Sequence, residues 1–225
     1  MSKFVRRVLS AAAVVGAFAA TSASAGVIPA VINFESITGG NLYFAGDSFT
    51  EQGFRMTADF DFGTVDAAAN LPAVTSGNSS QVYGQFNDGG LTVRRDDGLG
   101  FNLNSFQYAF IAQSPASALA TALVAVAQNM DGTTTGFGFA FAGAVNGANP
   151  FATANTAGLF NNIRSVEFFA CSLVGVQLCT VETRNNGQFA LDNLNVGTIP
   201  EPTSIALVLA ALMAAGFAAR RKNVC

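Results

Sequence analysis

The chain contains no tryptophan and no histidine. Without histidine it loses the commonest general base and the commonest transition-metal ligand. A Ser-His-Asp or Cys-His catalytic device is excluded for the same reason. Lysine is absent between Gly26 and Ile199, where the only cations are Arg55, Arg94, Arg95, Arg164 and Arg184. Thirteen acids share that segment, so its net charge is −8. A surface of that sign repels phosphate backbones, and no nucleic-acid partner is expected. Neither a P-loop, nor a G-x-G-x-x-G run, nor an EF-hand pattern occurs. Tyr43, Tyr83 and Tyr108 are the only tyrosines, and the sequence does not separate core from surface for them. The 21 phenylalanines are read as core, not as a sugar-stacking platform.

What the chain does have lies first at its ends. Lys3, Arg6 and Arg7 precede an apolar run from Val8 to Ala20, and Ala23-Ser24-Ala25 stands before Gly26. A basic start, a short apolar stretch and a small-x-small cleavage site make a secretory signal peptide over residues 1–25. Signal peptidase is expected to cut between Ala25 and Gly26.

At the other end, Ile199-Pro200-Glu201-Pro202 is followed by an apolar run, Thr203 to Ala219, and then by Arg220-Arg221-Lys222. A helix rises about 1.5 Å per residue and a bilayer core is about 30 Å thick, so this run is at the short end of a membrane span. Basic flanks stay in the cytoplasm. Residues 199–225 resemble the PEP-CTERM sorting signal of exported bacterial proteins. Gln188-Phe189-Ala190-Leu191-Asp192 resembles the Q-F-x-x-D element of one subgroup. Two departures are Ile199, where most members have Val, and Asn223-Val224-Cys225 after the basic cluster. The resemblance implies recognition by an exosortase and transient anchoring through residues 203–219. Removal of the tail near Pro200-Glu201-Pro202 and delivery to the cell surface or extracellular matrix would follow.

Residues 26–198 then form one domain, large enough for a substantial core. Short Phe-, Val- and Thr-bearing runs separated by Asn, Asp and Gly predict strands over Val31–Phe34, Gly53–Thr57, Gln81–Gln85, Leu91–Arg94 and Ser105–Ala112. Further strands are predicted over Ala122–Gln128, Thr134–Phe141, Arg164–Cys171, Gln177–Glu182 and Phe189–Val196. Gly136 to Phe141 alternates strictly and places three Phe on one face. Ser117–Gln128 starts with helix formers, but Val124, Val126 and the Asp131-Gly132 turn favour a strand. Ala67–Ser80 and Ala142–Ala157 read as loops. Ten strands without alternating helices predict an all-β antiparallel sandwich, jelly-roll-like by preference.

Cys171 and Cys179 are the pair left in the domain once Cys225 goes with the tail. An exported chain with two such cysteines is expected to join them in a disulfide across a hairpin. Two free buried thiols are the alternative. Glu35 near the start and Asp192 near the end occupy chain positions at which a sandwich could hold a structural calcium. Solvated or backbone-capping acids are the simpler account of both.

Three functions stay open. The first is a non-catalytic surface or matrix protein. The second is a carbohydrate-binding module acting on exopolysaccharide, which an exposed Tyr strip would favour. The third is an extracellular glycoside hydrolase, which two buried carboxylates in a cleft would favour.

Overall fold

The computed structural model describes residues 28–71, 75–76, 78–111, 120–145, 148–174, 178–181 and 187–198. Ile28–Ile199 form a compact unit of their own. The signal-peptide residues Ala23, Ala25 and Gly26 lie outside the described residues. So do the tail residues Pro200, Glu201, Pro202, Arg220, Arg221 and Lys222. No helix among the described residues is long and apolar enough to cross a membrane.

Fifteen strands are described. They are β1 (Ile28–Ile32), β2 (Asn41–Phe44), β3 (Ser48–Glu51), β4 (Phe54–Asp59), β5 (Phe62–Ala67), β6 (Thr75–Ser76), β7 (Gln81–Phe86) and β8 (Gly90–Arg95). Then come β9 (Phe101–Phe110), β10 (Ala122–Asn129), β11 (Thr134–Ala140), β12 (Asn149–Pro150), β13 (Ala152–Val174), β14 (Leu178–Val181) and β15 (Phe189–Thr198). All ten predicted strands are present, with shifted ends.

The ladder runs β2-β5-β7-β15-β9-β13-β8-β4-β3, with β1 on β15, β10 on β13, β11 on β10 and β14 on β13. The strand that makes this a sandwich is β13. Its first half pairs with β9 and its second half with β8 and β10. The ladder shifts register between Asn155 and Ile163, where Gly158 and Asn162 have positive φ. Bulges of this kind bend a strand and let it pass from one layer to the next. One layer is β2-β5-β7-β15-β9. The other is β3-β4-β8-β13-β10-β11.

Alternation fills the space between them. In β4, Phe54, Met56 and Ala58 are buried while Arg55, Thr57 and Asp59 face outward. Phe54 packs edge-on against Phe101 at 5.2 Å, and Phe106 against Phe168 at 5.1 Å. The three Phe of the alternating run do share a face. Phe139 packs on Phe106 and Tyr108, Phe141 on Tyr108 and Phe110, and Phe137 on Phe160. Ala122–Asn129 is a strand, as the valines indicated.

The loop expected over Ala142–Ala157 needs correction. It contains β12 and the first residues of β13. Ala154 and Thr156 point inward with Phe160, and the Thr156 hydroxyl donates to the Leu103 carbonyl at 2.7 Å. Small and polar inward residues conceal the alternation that a strand normally displays. The loop expected over Ala67–Ser80 likewise contains a 3-10 turn, Ala68–Asn70, and the two-residue β6. Three further strands, β2, β3 and β5, went unpredicted because their neighbours are Gly and Asp.

Candidate functional site

Two places concentrate chemistry, one on the outward side of each layer. The first lies where β15 meets the start of β7. Along β15 the residues Phe189 to Asp192 are all buried, so both faces of the strand are covered. Phe189 and Leu191 belong to the central core. Ala190 lies on the other side, in a second apolar cluster with Ala68, Leu71, Val82, Phe86 and Ile111. Asp192 follows it outward and is 0 % exposed.

Nothing cationic meets that carboxylate among the described residues. Its partners are Asn78 Nδ2 at 2.6 Å, Ser80 Oγ at 2.8 Å, the Asn193 amide at 2.7 Å and Asn193 Nδ2 at 3.1 Å. Asn193 has φ +49°, and this left-handed residue turns its own amide onto the carboxylate. Burial holds Asp192 above the ordinary carboxylate range. Asn78, Ser80 and the Asn193 amide oppose that shift, and the charge of Glu35 adds to it.

Glu35 is therefore a neighbour of Asp192, although 157 residues separate them in the chain. Its Oε1 accepts from the Gln81 amide at 2.9 Å, one residue after Ser80. Gln81 Oε1 is buried beside Gly39 without a hydrogen-bond donor. Two acids brought near one another are chemistry that suits a hard cation. No group of three or more His, Cys, Asp or Glu is arranged to hold a metal among the described residues.

Glu51 is the other buried acid among the described residues. Its Oε2 accepts from the Phe34 amide at 2.8 Å, and its Oε1 accepts from the Ser36 hydroxyl at 2.9 Å. It pins the loop after β1, where Phe34 has φ +61°.

The second place is the outward face of β4, β8 and β13. Strand register sets it out in rows. Arg55, Arg94 and Ser165 are aligned, then Thr57, Thr92 and Glu167, then Asp59, Gly90 and Phe169. At one end, Ala45, Gly46, Ala58, Asp59, Phe60, Thr92 and Glu167 line a depression of about 390 Å³. The Thr92 hydroxyl donates to Asp59. Partial burial, and then the charge of Asp59, raise the pKa of Glu167. Phe60 is 72 % exposed with φ +58°, and Asp61 beside it has φ +42°. A bulky residue in the left-handed region is strained, and such strain collects at functional surfaces. At the other end, Arg55, Arg94, Arg95, Asp96, Gly98 and Arg164 line a depression of about 660 Å³.

No protein-family model matches the sequence, and no curated protein does. Among solved structures, two variants of CBM29-2, a family 29 carbohydrate-binding module, show a likeness. One is 9 % identical, with 71 % of this chain and 91 % of that chain covered and a TM-score of 0.30. The other is 11 % identical, with 76 % and 91 % covered and a TM-score of 0.31. The enzymatically active domain of tailspike protein 4 from bacteriophage CBA120 is 12 % identical, covering 73 % of this chain and 20 % of that chain, with a TM-score of 0.24. At such scores no functional conclusion follows from them.

Tyr83 and Tyr108 are buried and Tyr43 packs on Phe49 at 4.4 Å, so the tyrosines form no exposed strip. Cys171 is buried at the edge of the second layer. β14 pairs Val181 with Cys171 and Cys179 with Leu173. The hairpin thus sets Cys171 and Cys179 at diagonal positions on one face of the sheet. The Cys179 side chain lies outside the described residues. Sequence reading missed the Arg depression and Phe60. The clue available for the first was the rarity of cations in the domain, four of whose five arginines meet there.

Proposed function

We propose that this chain is an exported, non-catalytic protein of the cell surface or extracellular matrix, sorted at its tail by an exosortase. The observation that carries the proposal is the ordered tail Pro200-Glu201-Pro202, apolar run and Arg220-Arg221-Lys222, with a signal peptide at the other end. The described fold is compatible with such processing. β1 pairs with β15 in the register Ile28 with Thr198, so both ends of the domain leave side by side. A cut near Gly26 and another near Pro200 would spare every ladder bond. Buried Glu51 favours a non-catalytic role, because it spends its oxygens on amide and hydroxyl donors that hold a loop. Replacing Pro200, Glu201 and Pro202 together with Ala should leave an uncleaved form in the membrane fraction. Unchanged processing and release would refute the sorting step.

Within this proposal the sandwich is jelly-roll-like, and Cys171 and Cys179 form a disulfide. Closing so short a loop contributes about 2–3 kcal/mol on a chain-entropy estimate. Thiol labelling of the secreted protein should find no free cysteine without reductant, and two reactive thiols would count against the pair. Calcium is held by Glu35 and Asp192. It neutralises two acids that otherwise repel and ties the loop after β1 to β15 and β7.

A second reading, a carbohydrate-binding module, is favoured by one feature. Exposed, strained Phe60 beside Asp59, Thr92 and Glu167 joins an aromatic face to hydrogen-bonding groups suited to hydroxyls.

A further inference from the structure

All four arginines among the described residues line one depression of about 660 Å³. The segment carrying them has thirteen acids, which makes their assembly at one spot unexpected. Cations placed for stability would be spread among those acids as pairs. Here only two are so used. Asp96 accepts from Arg55 Nε at 2.8 Å, and Asp97 is paired with Arg95. Arg95 Nη1 also donates to the Gly100 carbonyl at 3.2 Å. The turn after β8 thus fixes two guanidinium groups in place. Arg94 and Arg164 are exposed and have no carboxylate partner among the described residues. Two braced and two unpaired arginines around an open depression form a receptor for an anion.

The strand rows identify what kind of anion. Arg55 and Arg94 share their outward face with Thr57 and Thr92, and then with Asp59, Glu167 and the exposed ring of Phe60. Four residues along a strand cover about 14 Å. A ligand lying along β4 and β8 therefore meets positive charge, then hydroxyls, then carboxylates beside an aromatic face. Double-stranded DNA carries a charge about every 1.7 Å, and its phosphates would meet Asp59 and Glu167. A chain of hydroxyl-bearing rings with sparse carboxylates meets both ends favourably.

We propose that the outward face of β4, β8 and β13 binds an acidic polysaccharide, with a sugar carboxylate in the Arg94–Arg164 depression and an uncharged ring against Phe60. The guanidinium forks take the carboxylate, Asp59 and Glu167 accept from ring hydroxyls, and Phe60 covers the apolar face of the sugar. The proposal rests on the matrix-protein reading and supplies its partner.

The test is affinity electrophoresis of the full chain in detergent, through gels holding hyaluronate, whose uronate rings alternate with uncharged ones, its carboxyl-reduced neutral form, or duplex DNA. Wild type should be retarded most by hyaluronate, and less as salt is raised. Arg94→Gln with Arg164→Gln should weaken retention roughly 10- to 100-fold without moving the unfolding midpoint. Arg94→Lys with Arg164→Lys should restore part of it, because the charge returns without the fork. Phe60→Ala should weaken it several-fold. Equal retardation by the neutral polymer, stronger retardation by DNA, or wild-type binding by the Gln double variant or by Phe60→Ala would overturn the proposal. A chain that is processed correctly yet ignores hyaluronate refutes this inference alone. One that binds yet keeps its tail refutes the sorting reading alone.

Discussion

The two layers of the sandwich treat their outward faces in opposite ways. On β7 and β15 the outward side is covered. Leu71 and Ala68 press on Val82, Phe86, Ile111 and Ala190, and even Asp192 is out of contact with solvent. On β4, β8 and β13 the same period-two pattern leaves Arg, Thr, Asp and Glu half-buried or exposed. The difference teaches where stability and where recognition reside. A covered face gains apolar burial but must satisfy each polar group it encloses. An open face gains little stability and keeps its charges available to a partner.

Truncations should break the symmetry most visibly. Leu71→Ala removes a side chain that is 4 % exposed and should cost about 2–4 kcal/mol. Arg94→Gln on the open face should stay within about 0.5 kcal/mol. Denaturant unfolding of both variants checks this, and equal losses would mean that the first layer's cover contributes nothing.

The smaller effect concerns Asp192. With calcium at 100 times its Kd the domain should gain about 2.7 kcal/mol over chelator, and Asp192→Asn should abolish that difference. Thermal unfolding with calcium and with chelator measures it, and equal midpoints for wild type would remove the metal. In chelator the pH dependence has a definite sign. Burial raises the folded pKa of Asp192 above its unfolded value. The folded state therefore binds this proton more tightly. The group's favourable contribution is full below the unfolded carboxylate pKa and is lost as pH rises through the folded one. Asp192→Asn should flatten that part of the profile, whereas Arg94→Gln on the open face should leave it intact.

Much of the fold could be read from the sequence because alternation was visible. β4, β7, β8, β10 and β11 present large apolar residues at every second position, or β-branched runs between Gly and Asp turns. The first half of β13 could not be read, since its inward residues Ala154 and Thr156 look like loop residues. Asp192 and Glu35 were legible as a pair only through their chain positions, and the structure brings them to adjacent residues, Ser80 and Gln81, where β7 begins. Asn78, Ser80 and Gln81 were not legible as their partners. Nothing local marks a side chain that serves a strand more than a hundred residues away. The Arg depression was hidden for the same reason, as register and not sequence spacing aligns Arg55 with Arg94.

The position of β15 also governs the order of events in folding. It is the last strand of the domain, yet β1, β7 and β9 all lean on it. Before residues 189–198 arrive, β1 has no ladder partner among the described strands, and the first layer is split between β7 and β9. Pairings this distant in sequence are slow to form. In the proposed export the domain would thus stay open until its final segment has crossed, just as the tail reaches the membrane. Closure of the sheet and arrival of the anchor would then coincide, so that what the sorting machinery meets is a newly completed domain.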